Sequence, residues 1–185
     1  MKLLREYIIE LLTESAIDPK IMSMIDKAEK MKLTLKMFPF GVSLHRRKKG
    51  TIPVASLTWD GDQIHGPCLK STIVMNVYAD EGLGPLIYDI AIEATGGLTP
   101  DREEVSSSAR NVWAYYEKNR PDVSVEQLDD ENNTLTPEEI DNCKQDSAIQ
   151  DVGSDEFEKS PLSKVYKKSG TPVIDELRKR GMIRE

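Results

Sequence analysis

The stretch Ser71-Thr72-Ile73-Val74-Met75-Asn76-Val77-Tyr78-Ala79-Asp80-Glu81-Gly82-Leu83-Gly84-Pro85-Leu86-Ile87-Tyr88-Asp89-Ile90-Ala91 decides how the chain is read. From Ser71 to Tyr78 it is largely apolar and rich in β-branched and aromatic residues, which predicts a strand. Gly82 and Gly84 mark a turn. Pro85 then stands where a helix tolerates proline best, and Leu86, Ile87, Ile90, Ala91 and Ala94 keep the helical period until Gly96-Gly97 closes it. A glycine turn between strand and helix exposes backbone N–H groups at a helix N-terminus, an arrangement suited to a phosphate or pyrophosphate.

Upstream, Leu33 to Arg46 alternates apolar and polar residues through Pro39 and predicts one strand. A basic turn, Arg46-Arg47-Lys48-Lys49-Gly50, leads to a second strand over Thr51 to Trp59. Asp60-Gly61-Asp62 is a turn signal before the strand at Ser71, so three strands are expected to form an antiparallel meander. Before them, Leu3, Leu4, Tyr7, Ile8, Leu11 and Leu12 form an amphipathic helical stripe. Asp18-Pro19 opens a second helix as N-cap and first helical residue, with Met22, Ile25 and Ala28 turned inward.

Downstream, Val105, Ala109, Val112, Trp113 and Tyr116 share one stripe of a helix over 105–118, which Pro121 ends. Val123 to Leu128 alternates as a short strand, and Thr136-Pro137-Glu138-Glu139 is a capping box predicting a short acidic helix. Residues 146–171 read as an irregular tail, and Thr171-Pro172 starts a last helix that Gly181 stops. The expected fold class is therefore α/β (α+β), in three stretches: a helical segment over 1–31, a core domain over 32–130, and an acidic helix with a largely irregular tail over 131–185.

Composition sets the limits. The chain has 185 residues, 38% of them hydrophobic, and a net charge of −7, values that fit one domain. No apolar run is long enough for a membrane span. Cys68 and Cys143 are too few and too far apart for a disulfide framework, and no metal-ligand spacing is present. Charge is segregated: residues 20–50 carry +7, residues 121–160 carry −11, and residues 161–185 carry +4. That pattern lacks the contiguous positive face of a nucleic-acid binder, and the acidic and basic blocks are expected either to fold back on each other or to stay solvated.

The strand ending at Tyr78, the turn Glu81-Gly82-Leu83-Gly84 and the helix Pro85 to Ala91 resemble the acyl-CoA-binding turn and helix of the GNAT N-acetyltransferase superfamily. The run Trp113-Ala114-Tyr115-Tyr116-Glu117-Lys118 is similar to that superfamily's penultimate helix, whose tyrosine protonates the departing thiolate. The resemblance implies a GNAT-like fold over roughly residues 33–128, acetyl-CoA as cofactor and an amine-bearing acceptor, such as an amine of a host protein. It implies Tyr78, Gly82, Leu83 and Gly84 as cofactor-binding residues and Tyr116 as general acid. His65, in the loop before the central strand and three residues from Cys68, is a candidate base on the acceptor side.

A second resemblance lies at the N-terminus. Met1 to Glu10 is similar to the capsid-targeting leader of T-even-type bacteriophage internal proteins, with Ile8-Ile9-Glu10 and Leu12-Thr13-Glu14 fitting the cleavage triplet. The whole chain resembles small GNAT-like proteins of tailed phages. The implied location is the host cytoplasm. An alternative follows from Ala79, where the superfamily has Arg or Gln, and from Asp80 and Glu81: a virion-associated protein that uses the fold for contacts with other virion proteins, without catalysis.

Overall fold

A computed structural model describes residues 17–47, 52–60, 71–129, 134–137 and 154–184. Helix α1, Pro19–Lys30, begins as its sequence dictates: the Asp18 carboxylate accepts from the amides of Lys20 at 2.9 Å and Ile21 at 3.2 Å, and Pro19 follows the cap. It buries Ile21, Ile25 and Ala28.

The alternating segment expected as one strand is two. Strand β1, Leu33–Phe38, turns at Pro39-Phe40 and pairs antiparallel with β2, Gly41–Arg46. Proline cannot donate to a ladder, which places the break there. Gly41 is required at the corner, since a Cβ would lie 2.3 Å from the Phe38 ring and 2.8 Å from the Leu57 carbonyl oxygen. Strands β3, Ala55–Trp59, and β4, Thr72–Ala79, continue the meander to four strands.

Strand β4 leads through Asp80–Leu83 into helix α2, Gly84–Thr95. Every residue from Leu86 to Glu93 of this helix is buried. A helix apolar around most of its circumference has no solvent face and belongs inside the layers. Gly96, at φ +78°, supplies the left-handed C-cap. The chain then forms β5, Leu98–Thr99, parallel to the start of β4, followed by helix α3, Ser107–Asn119, and strand β6, Ser124–Gln127.

The segment expected as an irregular tail returns to the core. It contains helix α4, Ser154–Lys159, a 3₁₀ turn at Pro161–Ser163, and strand β7, Lys164–Lys167, which inserts between β5 and β6. Helix α5, Pro172–Lys179, and strand β8, Ile183–Arg184, follow, with β8 parallel to β1. Among the described residues the sheet has eight strands in the order β6-β7-β5-β4-β3-β2-β1-β8. Val165 and Tyr166 are both fully buried, so β7 lacks the alternation that marks a half-exposed strand and its sequence reads as tail.

Thr134–Pro137 are not helical; the amide and hydroxyl of Thr136 bond instead to the buried Asp129 carboxylate. The remainder of that capping box, Glu138 and Glu139, lies outside the described residues, as does the leader-like stretch 1–10. No helix among the described residues is long and apolar enough to cross a membrane. The acidic block 121–160 and the basic block 161–185 meet where Lys167 pairs with Glu126 at 2.7 Å, and Arg180 pairs with Asp26 and Glu29, the two acids of the basic block 20–50, at 2.7 and 2.8 Å.

Candidate functional site: the open edge of the central strand

Strands β4 and β5 touch only at Thr72–Leu98 and Ile73–Thr99, a contact fastened by the Ser71 and Thr99 hydroxyls at 2.7 Å. Beyond Ile73, β4 keeps its β3 neighbour on one side, while its other edge has no strand partner among the described residues. The amide of Asp80 donates to the Val54 carbonyl at 2.9 Å, and Ala79 stands opposite Ala55. Antiparallel alternation therefore turns the amides and carbonyls of Asn76 and Tyr78 toward β3, and those of Val77 and Ala79 toward the open edge. A bulge opposite Thr58 and Trp59 leaves Met75 as the extra residue of β4.

Beside this edge lies a cleft of about 340 Å³. Its floor is apolar and aromatic, formed by Val74, Tyr88, Val105, Ala109 and Trp113. Asp101, Glu103 and Glu104 stand on the loop that closes its far side, and Ser106 of the same loop caps α3 by accepting from the Ala109 amide at 3.2 Å. At the end of β4 the chain reverses with Glu81 at φ +56° and Gly82 at φ +70°. The left-handed region suits glycine at Gly82, whereas Gly84 is outside it and a Cβ there would sit 3.9 Å from that of Ala79.

Helix α2 starts without a side-chain cap, so the first-turn amides of Gly84 and Leu86 have no intrahelical partner. The Leu83 side chain is fully buried, and its amide donates to the Asp80 carbonyl at 3.0 Å. Leu83 therefore anchors the turn to the core. Lys27 of α1 reaches the turn, donating to the Glu81 carbonyl and lying 3.6 Å from its carboxylate. Tyr78 is exposed and donates its hydroxyl to Asp80, a bond that, with the Asp80 charge, holds the phenol above its ordinary value.

The opposite side of α2 is closed. Tyr116, expected as the general acid, is fully buried, does not line the cleft, and lies 2.6 Å from the Asp89 carboxylate and 2.7 Å from the Pro85 carbonyl. Burial, followed by the Asp89 charge, pushes its pKa well up, so it holds its proton. Asp89 also takes both guanidinium nitrogens of Arg120 at 2.9 Å, and Arg120 grips Asp122 at 2.8 and 2.6 Å. Lys168 adds bonds to Asp89 at 3.1 Å and to Glu93 at 2.6 Å. Glu93 in turn caps α5 from outside, accepting from the amides of Val173 at 3.1 Å and Ile174 at 2.9 Å.

This hub joins α2, α3, the residue after β7 and α5, and every charge in it is paired. Sequence reading did not single it out. Its signal was two acids four residues apart, Asp89 and Glu93, inside an otherwise apolar helix. Tyr78 stands near the end of β4 and Gly82 and Gly84 in the turn that follows, outside the lining of the cleft, while Tyr116 belongs to the hub and His65 and Cys68 lie outside the described residues. Among the described residues no group of three or more His, Cys, Asp or Glu is placed to hold a metal ion. Comparison with protein-family models, curated proteins and solved structures finds no match.

Proposed function

We propose that the chain is a GNAT-like acyltransferase, moving an acyl group from acyl-CoA to an amine. The observation that carries this reading is the parting of β4 from β5 after Ile73, which leaves a strand edge open along a cleft and leading straight into an uncapped helix N-terminus. An extended chain with amide groups has a ready partner there in the Val77 and Ala79 backbone. A pyrophosphate has one in the first-turn amides of Gly84 and Leu86. Lys27 over the turn offsets the acidity of Glu81. When bound, acyl-CoA supplies an activated thioester.

The chain's own residues hold the arm along β4, keep water from the apolar floor formed by Val74 and Trp113, and leave the acidic loop facing an incoming amine. Proton delivery to the departing sulfur does not fall to Tyr116, whose hydroxyl is bound within the hub. That same fact favours the second reading, a phage protein that keeps the fold for contacts with other virion proteins; detection of the chain in purified particles, with no cofactor binding, would establish it.

Calorimetric titration with acetyl-CoA tests the first reading. Saturable binding is expected, and Gly84→Ala should weaken it roughly tenfold, equivalent to about 1.4 kcal/mol. The variant should fold normally, because the added methyl has room. Absence of binding at millimolar acetyl-CoA would remove the enzyme reading.

A further inference from the structure

Tyr88 is the one feature of the cleft that the fold does not account for. It is 2% exposed, it lines the cleft, and its ring meets Trp113 edge-on at 4.7 Å. Its hydroxyl has no hydrogen-bond partner among the described residues. The other deeply buried tyrosines do: Tyr116 has Asp89 and Pro85, and Tyr166 donates to the Pro161 carbonyl at 2.7 Å. Buried tyrosine hydroxyls as a rule find a partner, so an orphan one at the floor of a cleft points to a ligand. Burial, followed by the charge of Asp101 on the rim, raises its pKa and keeps the hydroxyl neutral.

The rim is of one sign. Asp101, Glu103 and Glu104 line the cleft, and among the described residues no Lys or Arg lines it and none of the three acids has an ion pair. One Asp101 oxygen accepts the Glu103 amide at 2.8 Å, and the other has no hydrogen-bond partner among the described residues. Val74, Val105, Ala109 and Trp113 give the cleft apolar and indole surface, beside the polar Asn76 and Ser106. An anion is repelled by this rim, and a bare metal ion gains nothing from the apolar floor. An organic cation matches both parts.

We propose that this cleft binds a primary ammonium on an aliphatic stem. The head sits among Asp101, Glu103 and Glu104 and donates to the Tyr88 hydroxyl oxygen, while the stem lies on Val74, Val105 and Trp113. The same chemistry is offered by a free diamine and by a lysine side chain. The proposal rests on the acyl-transfer reading only in making this amine the acceptor; binding itself needs no cofactor.

The full chain is titrated with 1,5-diaminopentane, with a lysine-containing peptide, and with pentanol and pentanoate as neutral and anionic counterparts, using Trp113 fluorescence and calorimetry. Saturable binding of at least one amine is expected, with pentanol and pentanoate weaker by roughly tenfold or more, the order associated with a charge-assisted hydrogen bond. Preference between diamine and peptide identifies the source. The exposed pair Glu103→Gln with Glu104→Gln should weaken the amine roughly tenfold and leave pentanol unchanged. Tyr88→Phe should weaken it severalfold. Failure of both amines to saturate, equal binding of pentanol, or unchanged affinity in the double variant overturns the proposal. Acetyl-CoA is titrated into the same samples: amine binding without cofactor binding ends the acyl-transfer reading alone, and cofactor binding without amine binding ends this proposal alone.

Discussion

Tyr88 and Tyr116 lie on neighbouring helices, pack against the same Trp113 at 4.7 and 6.1 Å, and are both buried. One hydroxyl is held by a carboxylate and a carbonyl; the other is held by nothing among the described residues. The difference separates scaffold from site. Asp89 follows Tyr88 directly on α2, and the turn of the helix between them sends the two to different faces: Asp89 enters a saturated ionic hub, and Tyr88 lines the cleft. A tyrosine inside an aromatic-Tyr-Glu-Lys run attracts a catalytic reading, yet the tyrosine that lines the cleft is the one whose hydroxyl has no hydrogen-bond partner among the described residues.

The largest effect is expected at the hub. Arg120→Ala leaves Asp89 and Asp122 buried without their main cation, and a loss of about 3–5 kcal/mol in denaturant unfolding is expected. A loss under about 1 kcal/mol would mean that the hub is solvated and the contrast with the cleft false. Next come the tyrosines themselves. Tyr116→Phe should cost about 1–3 kcal/mol because it removes a donor to a buried carboxylate. Tyr88→Phe should be close to neutral, since no bond is lost. Equal costs would erase the distinction.

The smallest effect is the pH dependence within the hub. Burial raises the Asp122 carboxyl, but the bonds and charge of Arg120, with Lys168, outweigh it and hold it below its ordinary 3.8. A depressed value stabilises the fold above pH 3.8 and loses that contribution as the pH falls through the folded value. Glu93 runs the other way: burial keeps it above its ordinary 4.5 despite Lys168 and the two α5 amides. Its contribution is complete below pH 4.5 and declines as the pH rises through the folded value. The stability advantage of the parent chain over Asp122→Asn should therefore grow with pH, and that over Glu93→Gln should shrink. Each change amounts to about 1.4 kcal/mol for every tenfold difference in proton affinity between the folded and unfolded chain. Parallel slopes in thermal unfolding across pH 3 to 8 would contradict the assignment.

Local signals carried far into this fold. The Asp18-Pro19 cap, the strand at Ile73–Tyr78, the glycine turn and the stripe on α3 are all written in residues that act within one or two turns of chain. The elements that escaped are held by distant partners. Leu98–Thr99 is too short for any periodicity and is a strand because Thr72–Ile73 lies along one side and Tyr166 along the other. Lys164–Lys167 reads as tail until it is flanked on both sides. The site was half legible: Gly82 and Gly84 mark the turn through backbone need, but whether a tyrosine is bound or free depends on which side of a helix its neighbours crowd, and sequence periodicity placed Tyr116 without revealing Asp89 beside it.

The placement of β7 and β8 has a consequence for how the chain reaches this form. One strand fills the gap between β5 and β6, and the other closes the outer side of β1, where the Leu35 amide waits for the Met182 carbonyl. Both come from residues after Ser163, so neither half of the sheet can finish until that segment leaves the ribosome. Pairings of such sequence separation make for high contact order and slow folding. A growing chain that already holds its meander and α2 must keep two sheet edges unfilled until then.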